Sequence, residues 1–403
     1  MDSAHSTTRP IAIEVSVIST PLLPDFAGPA QKSSMTVVNS KSSYAQGMRR
    51  LMIVVLAFAV SLPHVANADV LSNQTKMVLV KTITGGISPK SVTSSGMGLV
   101  SAQNMMYTHS VTIYDGKTQQ LIKRVSDSVK LRDFGYTQYS GTYKGSPVEG
   151  TFSPDGKYLY VTNYAIYGAG FGEEGTDVCS PASDIDPSFV YRINLTKFTI
   201  DGLYPVGSMP KGIAITPDNK YLLVANWCSY TLDVISIAAQ KTVKQLKIGA
   251  YPRGIVISSD SKKAYVAEMG GISVHEINLS DFTQKRIPVG LNPRAVVLSP
   301  DNSKMYVTLN SAGKVVAWDL KKNKAIGSVK TGEGARSLAI SSDGTSIFVV
   351  NYDSDTVAKV NASDMSIIQT VKPCIHPIGI TYDAPTSTTW VACYSGSIKV
   401  FSN

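Results

Sequence analysis

The chain has 403 residues, 43% of them hydrophobic and 17% charged, with a formal net charge of +9. That balance excludes a disordered chain and leaves ample length for a large core. The basic excess is mild and no Lys/Arg run or basic helix accompanies it, so a nucleic-acid reader is not expected, whereas anionic ligands or surfaces are favoured.

Residues 1–47 are polar and show no periodicity, and they read as an over-called leader or a disordered segment. Met48-Arg49-Arg50 then makes a short basic start, Leu51 to Leu62 an apolar run, and Ala66-Asn67-Ala68 a small-residue cleavage site. This is the three-part pattern of a secretory signal peptide over 48–68, with a retained membrane anchor as the alternative. A transmembrane helix needs about 20 apolar residues, so the run is too short to span comfortably, and no stable span is expected after cleavage. The mature chain is therefore expected outside the cytoplasm, secreted or associated with the cell envelope.

From residue 77 onward the sequence repeats itself. Pro210-Lys-Gly-Ile-Ala-Ile, Pro252-Arg-Gly-Ile-Val-Ile, Pro293-Arg-Ala-Val-Val-Leu, Ala335-Arg-Ser-Leu-Ala-Ile and Pro377-Ile-Gly-Ile-Thr-Tyr follow one another at spacings of 42, 41, 42 and 42 residues. Two earlier copies, stretched by insertions, begin at Pro89 and Pro147, for a total of seven. Each unit reads as four strands. A short apolar strand follows the proline, and a Pro-Asp-Gly or Ser-Asp-Gly turn leads into a second strand such as Tyr158-Leu-Tyr-Val-Thr-Asn. Two further strands are typified by Thr231 to Ile237 and Thr242 to Ile248. Alternating, β-branched units with a period near 42 predict an all-β, seven-bladed propeller of four antiparallel strands per blade over 77–402. The last repeat lacks a fourth strand, and Met77-Val-Leu-Val-Lys-Thr-Ile supplies one, so the N-terminal strand is expected to close the ring. Closure removes the sheet edges that invite aggregation.

Tyr160-Val161-Thr162-Asn163, with its Ser-Pro-Asp-Gly turn, resembles the YVTN-type repeat β-propeller proteins, and the exported bacterial members in character. The resemblance covers nearly all of 77–402. It implies the fold. Related propellers include surface proteins, binding proteins, lactonases and redox subunits, so it does not imply one activity.

In such a ring the start of each innermost strand and the end of the second strand share one face. The residue after the repeat proline, or after Ala335, is Lys90, Lys211, Arg253, Arg294 or Arg336 in five of the seven blades, the exceptions being Val148 and Ile378. Radial repetition places these cations around the channel mouth, where their repulsion calls for an anion or acidic side chains. They read either as an anion-binding funnel or as repeat residues bonding loop carbonyls. Tyr167, Phe171, Trp227, Tyr230, Tyr352 and Tyr394 fall near the same face and serve either ligand stacking or blade packing. Two insertions, 127–146 and 165–187, fall beside blade two, the second carrying Glu173 and Glu174.

The four cysteines allow three pairings. Cys374 and Cys393 flank adjacent strand ends of the last blade, and Cys179 and Cys228 occupy equivalent loops of neighbouring blades, so Cys374–Cys393 and Cys179–Cys228 are expected, pinning the second insertion. No metal or cofactor is expected.

The leading expectation is an exported, non-catalytic binding or scaffold protein for an anionic ligand, an envelope polymer or a partner protein at the channel mouth. The alternative is a lactonase-like hydrolase or lyase on the same face. There the arginines would stabilise negative charge and His376, Glu149 or Glu268 would act as base. A redox propeller ranks third. His109 also falls near this face, and His275, within a strand, is expected to be structural.

Overall fold

A computed structural model describes residues 70–403 apart from Tyr107. The expected leader at 1–47 and signal peptide at 48–68 lie outside the described residues. Within 70–403 the chain forms seven four-stranded antiparallel sheets, each in sequential strand order except the last. The blades span 91–126, 144–208, 210–247, 252–288, 293–330, 335–371 and 377–402. In the last, Val78–Ile83 pairs with Ser397–Ser402, Val78 opposite Ser402 and Ile83 opposite Ile398. The N-terminal strand thus closes the ring, as the repeat phase requires.

Burial follows position in the blade. Second strands such as Tyr221–Asn226 are buried almost throughout, because both faces of the sheet meet a neighbouring blade. Outer strands such as Lys241–Lys247 are exposed at all but one residue and carry the lysines. Seven clusters, each straddling two neighbouring blades, make the core a circle. Val307 of blade five packs with Val274 of blade four, and Tyr306 with Val349 of blade six. Trp390 of blade seven packs with Val100 of blade one, so the circle has no gap.

The turn after each innermost strand is a small hydrogen-bonded knot. Ser153 Oγ donates to Asp155 at 2.6 Å and accepts from the Tyr158 amide at 2.9 Å, and Ser258 with Asp260 repeats the arrangement. Such bonds hold the Asp301 carboxyl down to about 2, chiefly through Ser299 and Ser303. The N-terminal segment straps blade six before joining blade seven: the Ser72 amide donates to Asp343 at 2.7 Å, and Lys359 Nζ donates to Thr75 Oγ1 at 3.0 Å.

Blade two departs from the expected insertion boundaries. Its innermost strand is Lys144–Phe152 and its second Tyr158–Tyr167, so both run past the repeat length. Lys144 pairs with Tyr167 and Gly145 with Ile166, turning the ends of both insertions into sheet. An aromatic cluster anchors this extension, with Tyr139 stacked on Phe171 at 5.0 Å and Tyr136 edge-on to Phe189 at 4.9 Å. Both expected disulfides are formed, Cys179–Cys228 and Cys374–Cys393. Among the described residues no helix is long and apolar enough to cross a membrane.

Candidate functional site

Backbone geometry aims the basic side chains. In five blades the residue before the innermost strand is left-handed: Met209 (φ 49°), Tyr251 (58°), Asn292 (53°), Gly334 (65°) and His376 (50°). The strand then opens on a register slip, between Pro210 and Gly212, Pro252 and Ile255, Pro293 and Val296, and Ala335 and Ser337 among others. A bulge leaves its extra residue unpaired and re-aims it. The residues freed in these four blades include Lys211, Arg253, Arg294 and Arg336, and all four line one cavity of about 230 Å³ together with Lys90. Glycine is needed at position 212, because a Cβ there would overlap the Arg253 carbonyl oxygen and push adjacent inner strands apart. Below this mouth the inner strands of the blades line the central channel, which shares Arg253, Arg294 and Arg336 with it.

Water is largely excluded from the cations. Lys211, Arg253 and Arg294 keep 5%, 7% and 8% of their surface exposed. Burial lowers the Lys211 amine to about 7 even though it contacts a carboxylate. Burial, reinforced by Arg294, Arg253, Lys211 and Arg336, holds Lys90 well below the usual lysine range. Arg294 is likewise depressed by burial and then by Arg253 and Arg336. Desolvation and like charge both disfavour the protonated form, so the apo ring stores electrostatic strain.

Two carboxylates relieve part of it. Asp177, from the insertion of blade two, meets Lys211 Nζ at 2.5 Å and accepts from the Tyr164 hydroxyl at 2.9 Å. Burial alone would raise it, but Lys211, Tyr164 and Lys90 together bring it down to about 2. Its backbone oxygen accepts from Trp227 Nε1 at 2.9 Å, and Cys179, two residues on, is fixed to Cys228. Glu149 meets Arg253 Nη1 at 2.6 Å. These two acids pair with one lysine and one arginine and leave Arg294 and Arg336 without an ion-pair partner among the described residues.

Aromatic rings supply the other counter-surface. Lys211 Nζ lies 3.8 Å from the Trp227 ring centroid and 5.3 Å from that of Tyr164. The Arg336 guanidinium lies 3.6 Å from Tyr352, and Lys90 Nζ 5.8 Å from Tyr394. A ring face offers negative quadrupole density without adding charge. Trp227, Tyr352 and Tyr394 come from one repeat position, the residue after the second strand, which is Met269 in blade four and there touches Arg294 Nη1 through sulfur at 3.8 Å, while Tyr164 holds that repeat position within the lengthened strand of blade two.

Other expected site residues fall outside this cavity. Tyr167 donates to Glu174 and stacks on His109 at 5.5 Å. Glu268 bonds the buried His275 at 3.0 Å, doing at its strand end what Asn226 and Asn351 do elsewhere, tying the second strand to its neighbour. His376 stacks on Tyr352 at 4.3 Å and directs Nδ1 to the Tyr352 carbonyl at 3.1 Å. Its ring takes the Tyr352 face opposite Arg336, since two groups this close cannot share one face. Glu149, Glu268 and His376 are therefore not brought together. Asp177 went unseen in the sequence, where Glu173 and Glu174 stood out in its place. Its signal was adjacency to Cys179, which the disulfide carries to the channel mouth.

No family model matches this chain, and no curated protein matches it. Among solved structures it is similar to a chain of the hydrazine synthase of Kuenenia stuttgartiensis, with a TM-score of 0.62 and 19% identity over 80% of this chain and 97% of that one. At that identity the likeness concerns the fold alone. The class defined by fold and topology is the seven-bladed β-propeller closed by its N-terminal strand.

Proposed function

We propose that this chain is an extracytoplasmic binding propeller, of the kind its YVTN-type repeats resemble, that captures an anionic group at the channel mouth. The observation carrying this reading is the convergence of Lys90, Lys211, Arg253, Arg294 and Arg336 on one cavity, where only Lys211 and Arg253 have an ion-pair partner among the described residues. Buried cations without partners are costly, and an entering carboxylate, sulfate or phosphate group would offset that cost with charge-assisted hydrogen bonds. Arg336 Nε makes no hydrogen bond among the described residues, which leaves a donor for such a guest. Placement outside the cytoplasm is supported by the signal pattern at 48–68 and by two disulfides.

Binding is favoured over hydrolysis on the same face because each proposed base is already engaged. Glu149 pairs with Arg253, Glu268 with His275, and His376 with Asp355 and Tyr352. The test is calorimetric titration of the purified chain with succinate, sulfate and polygalacturonate at low and high salt, beside the Arg253/Arg294/Arg336→Ala variant. Salt-sensitive binding by the parent that vanishes in a folded variant supports the reading. Absence of binding, or equal binding by both proteins, overturns it.

A further inference from the structure

Of the five cations, Lys90 is placed unlike the rest. Lys211 has Asp177, Arg253 has Glu149, and the two remaining arginines are permanent cations. Lys90 Nζ makes no ion pair or hydrogen bond among the described residues, and it lies 5.8 Å from the Tyr394 ring centroid. It enters from blade one, facing the arginines of blades four, five and six across the same cavity. The charged groups around it are Arg253, Arg294, Arg336 and Lys211, and Asp177, which also feels the Lys90 charge, is held by Lys211.

A partly buried amine surrounded by fixed cations is pushed toward its neutral, nucleophilic form. Burial and its cationic neighbours depress Lys90 in that sense. The same arginines form a carboxylate-binding wall. A ligand with a carboxylate next to a carbonyl matches both features, the carboxylate on the guanidinium groups and the carbonyl carbon toward Nζ.

We infer that Lys90 captures α-oxo carboxylates at the channel mouth by reversible imine formation, with Arg294 and Arg336 holding the carboxylate. The step is a condensation. The neutral amine adds to the carbonyl carbon, the carbonyl oxygen leaves as water with the two amine hydrogens, and a C=N bond replaces C=O. No oxidant or reductant takes part. This inference rests on the anion-binding reading and adds a covalent step to it.

The experiment incubates the purified full chain with pyruvate and sodium cyanoborohydride near pH 7.5, followed by intact-mass measurement and peptide mapping. One reduced adduct is expected, at Lys90, at least about tenfold faster than at any exposed lysine, because binding raises the local concentration of the carbonyl. Excess succinate should suppress it, and propanal, which lacks the carboxylate, should show no preference for Lys90. Lys90→Arg should lose the adduct while a cooperative urea transition shows that the variant still folds. Succinate binding with no adduct at Lys90, or with adducts spread over exposed lysines, overturns the covalent inference and leaves the anion site standing. Absence of succinate binding by the parent chain overturns both.

Discussion

Replacing Arg294 by methionine separates a ligand-binding ring from a structural one. Arg294 is 8% exposed, has no carboxylate partner among the described residues, and donates only to the Met269 sulfur at 3.8 Å. Arg253 and Arg336 repel it. Methionine matches its length and removes the charge. Exchanging buried charge for an apolar side chain of similar volume is often neutral or stabilises by about 1–4 kcal/mol. The variant should therefore unfold at higher urea, with a melting point raised by up to about 2 °C for each kcal/mol in a domain this large. Affinity should move the other way. A lost hydrogen bond between charged groups costs about 1.5–3 kcal/mol, or roughly tenfold to more than a hundredfold in Kd. Urea titration and succinate calorimetry on one preparation measure both. Loss of stability by more than about 1 kcal/mol with unchanged affinity would mean that Arg294 braces the blades, and the argument from unpaired charge would fail.

Four further outcomes follow from the same geometry. Lys211 titrates at about 7 when folded against 10.5 as a free side chain, so between those values the unfolded chain binds the additional proton and stability should rise with pH. The contribution is on the order of a few kcal/mol, and pH-dependent urea melts of Lys211→Met should lose that slope. Glu149→Gln leaves Arg253 without its carboxylate, so thermal melts should show a loss of about 1–3 kcal/mol while calorimetry shows tighter succinate binding. Converting Cys179 and Cys228 to serine opens a crosslink spanning 49 residues and should cost about 4 kcal/mol by chain entropy, read in urea. It should also weaken the hold of Asp177 on Lys211, and NMR of the Lys211 amine would register the change. Deleting residues 70–83 leaves the Ser397–Ser402 edge unpaired, and size-exclusion chromatography should show aggregation in place of a monodisperse ring.

Much of the scaffold was legible because repetition constrains it. A fixed period forces Lys211, Arg253, Arg294 and Arg336 onto equivalent positions of successive blades, and ring geometry then makes them converge. Cys374–Cys393 followed from strand ends that the repeat phase places side by side, and Cys179–Cys228 from equivalent loops of neighbouring blades. Where the chain leaves the repeat, that leverage disappears. The conformation of the blade-two insertion depends on an aromatic cluster and a disulfide that join distant residues, so Asp177 was hidden while Glu173 and Glu174 drew notice. The pairing of cations with rings was also hidden, because it does not keep to one blade: Lys211 meets Trp227 and Arg336 meets Tyr352 within a blade, whereas Lys90 of blade one meets Tyr394 of blade seven. It joins the residue after the innermost strand's first position to the residue after the second strand, and Trp227, Tyr352 and Tyr394 share no single residue type. Glu268 was conspicuous as an acid in an asparagine position, yet it performs the asparagine's bonding role through His275.

The most direct test is to soak crystals of the chain in selenate and map its anomalous scattering. An anion-binding mouth requires a selenate peak inside the ring, within hydrogen-bond reach of Arg294 and Arg336 and absent from crystals of the Arg294→Met variant. Selenate found only on the outer surface, with water alone filling the mouth, would contradict the account.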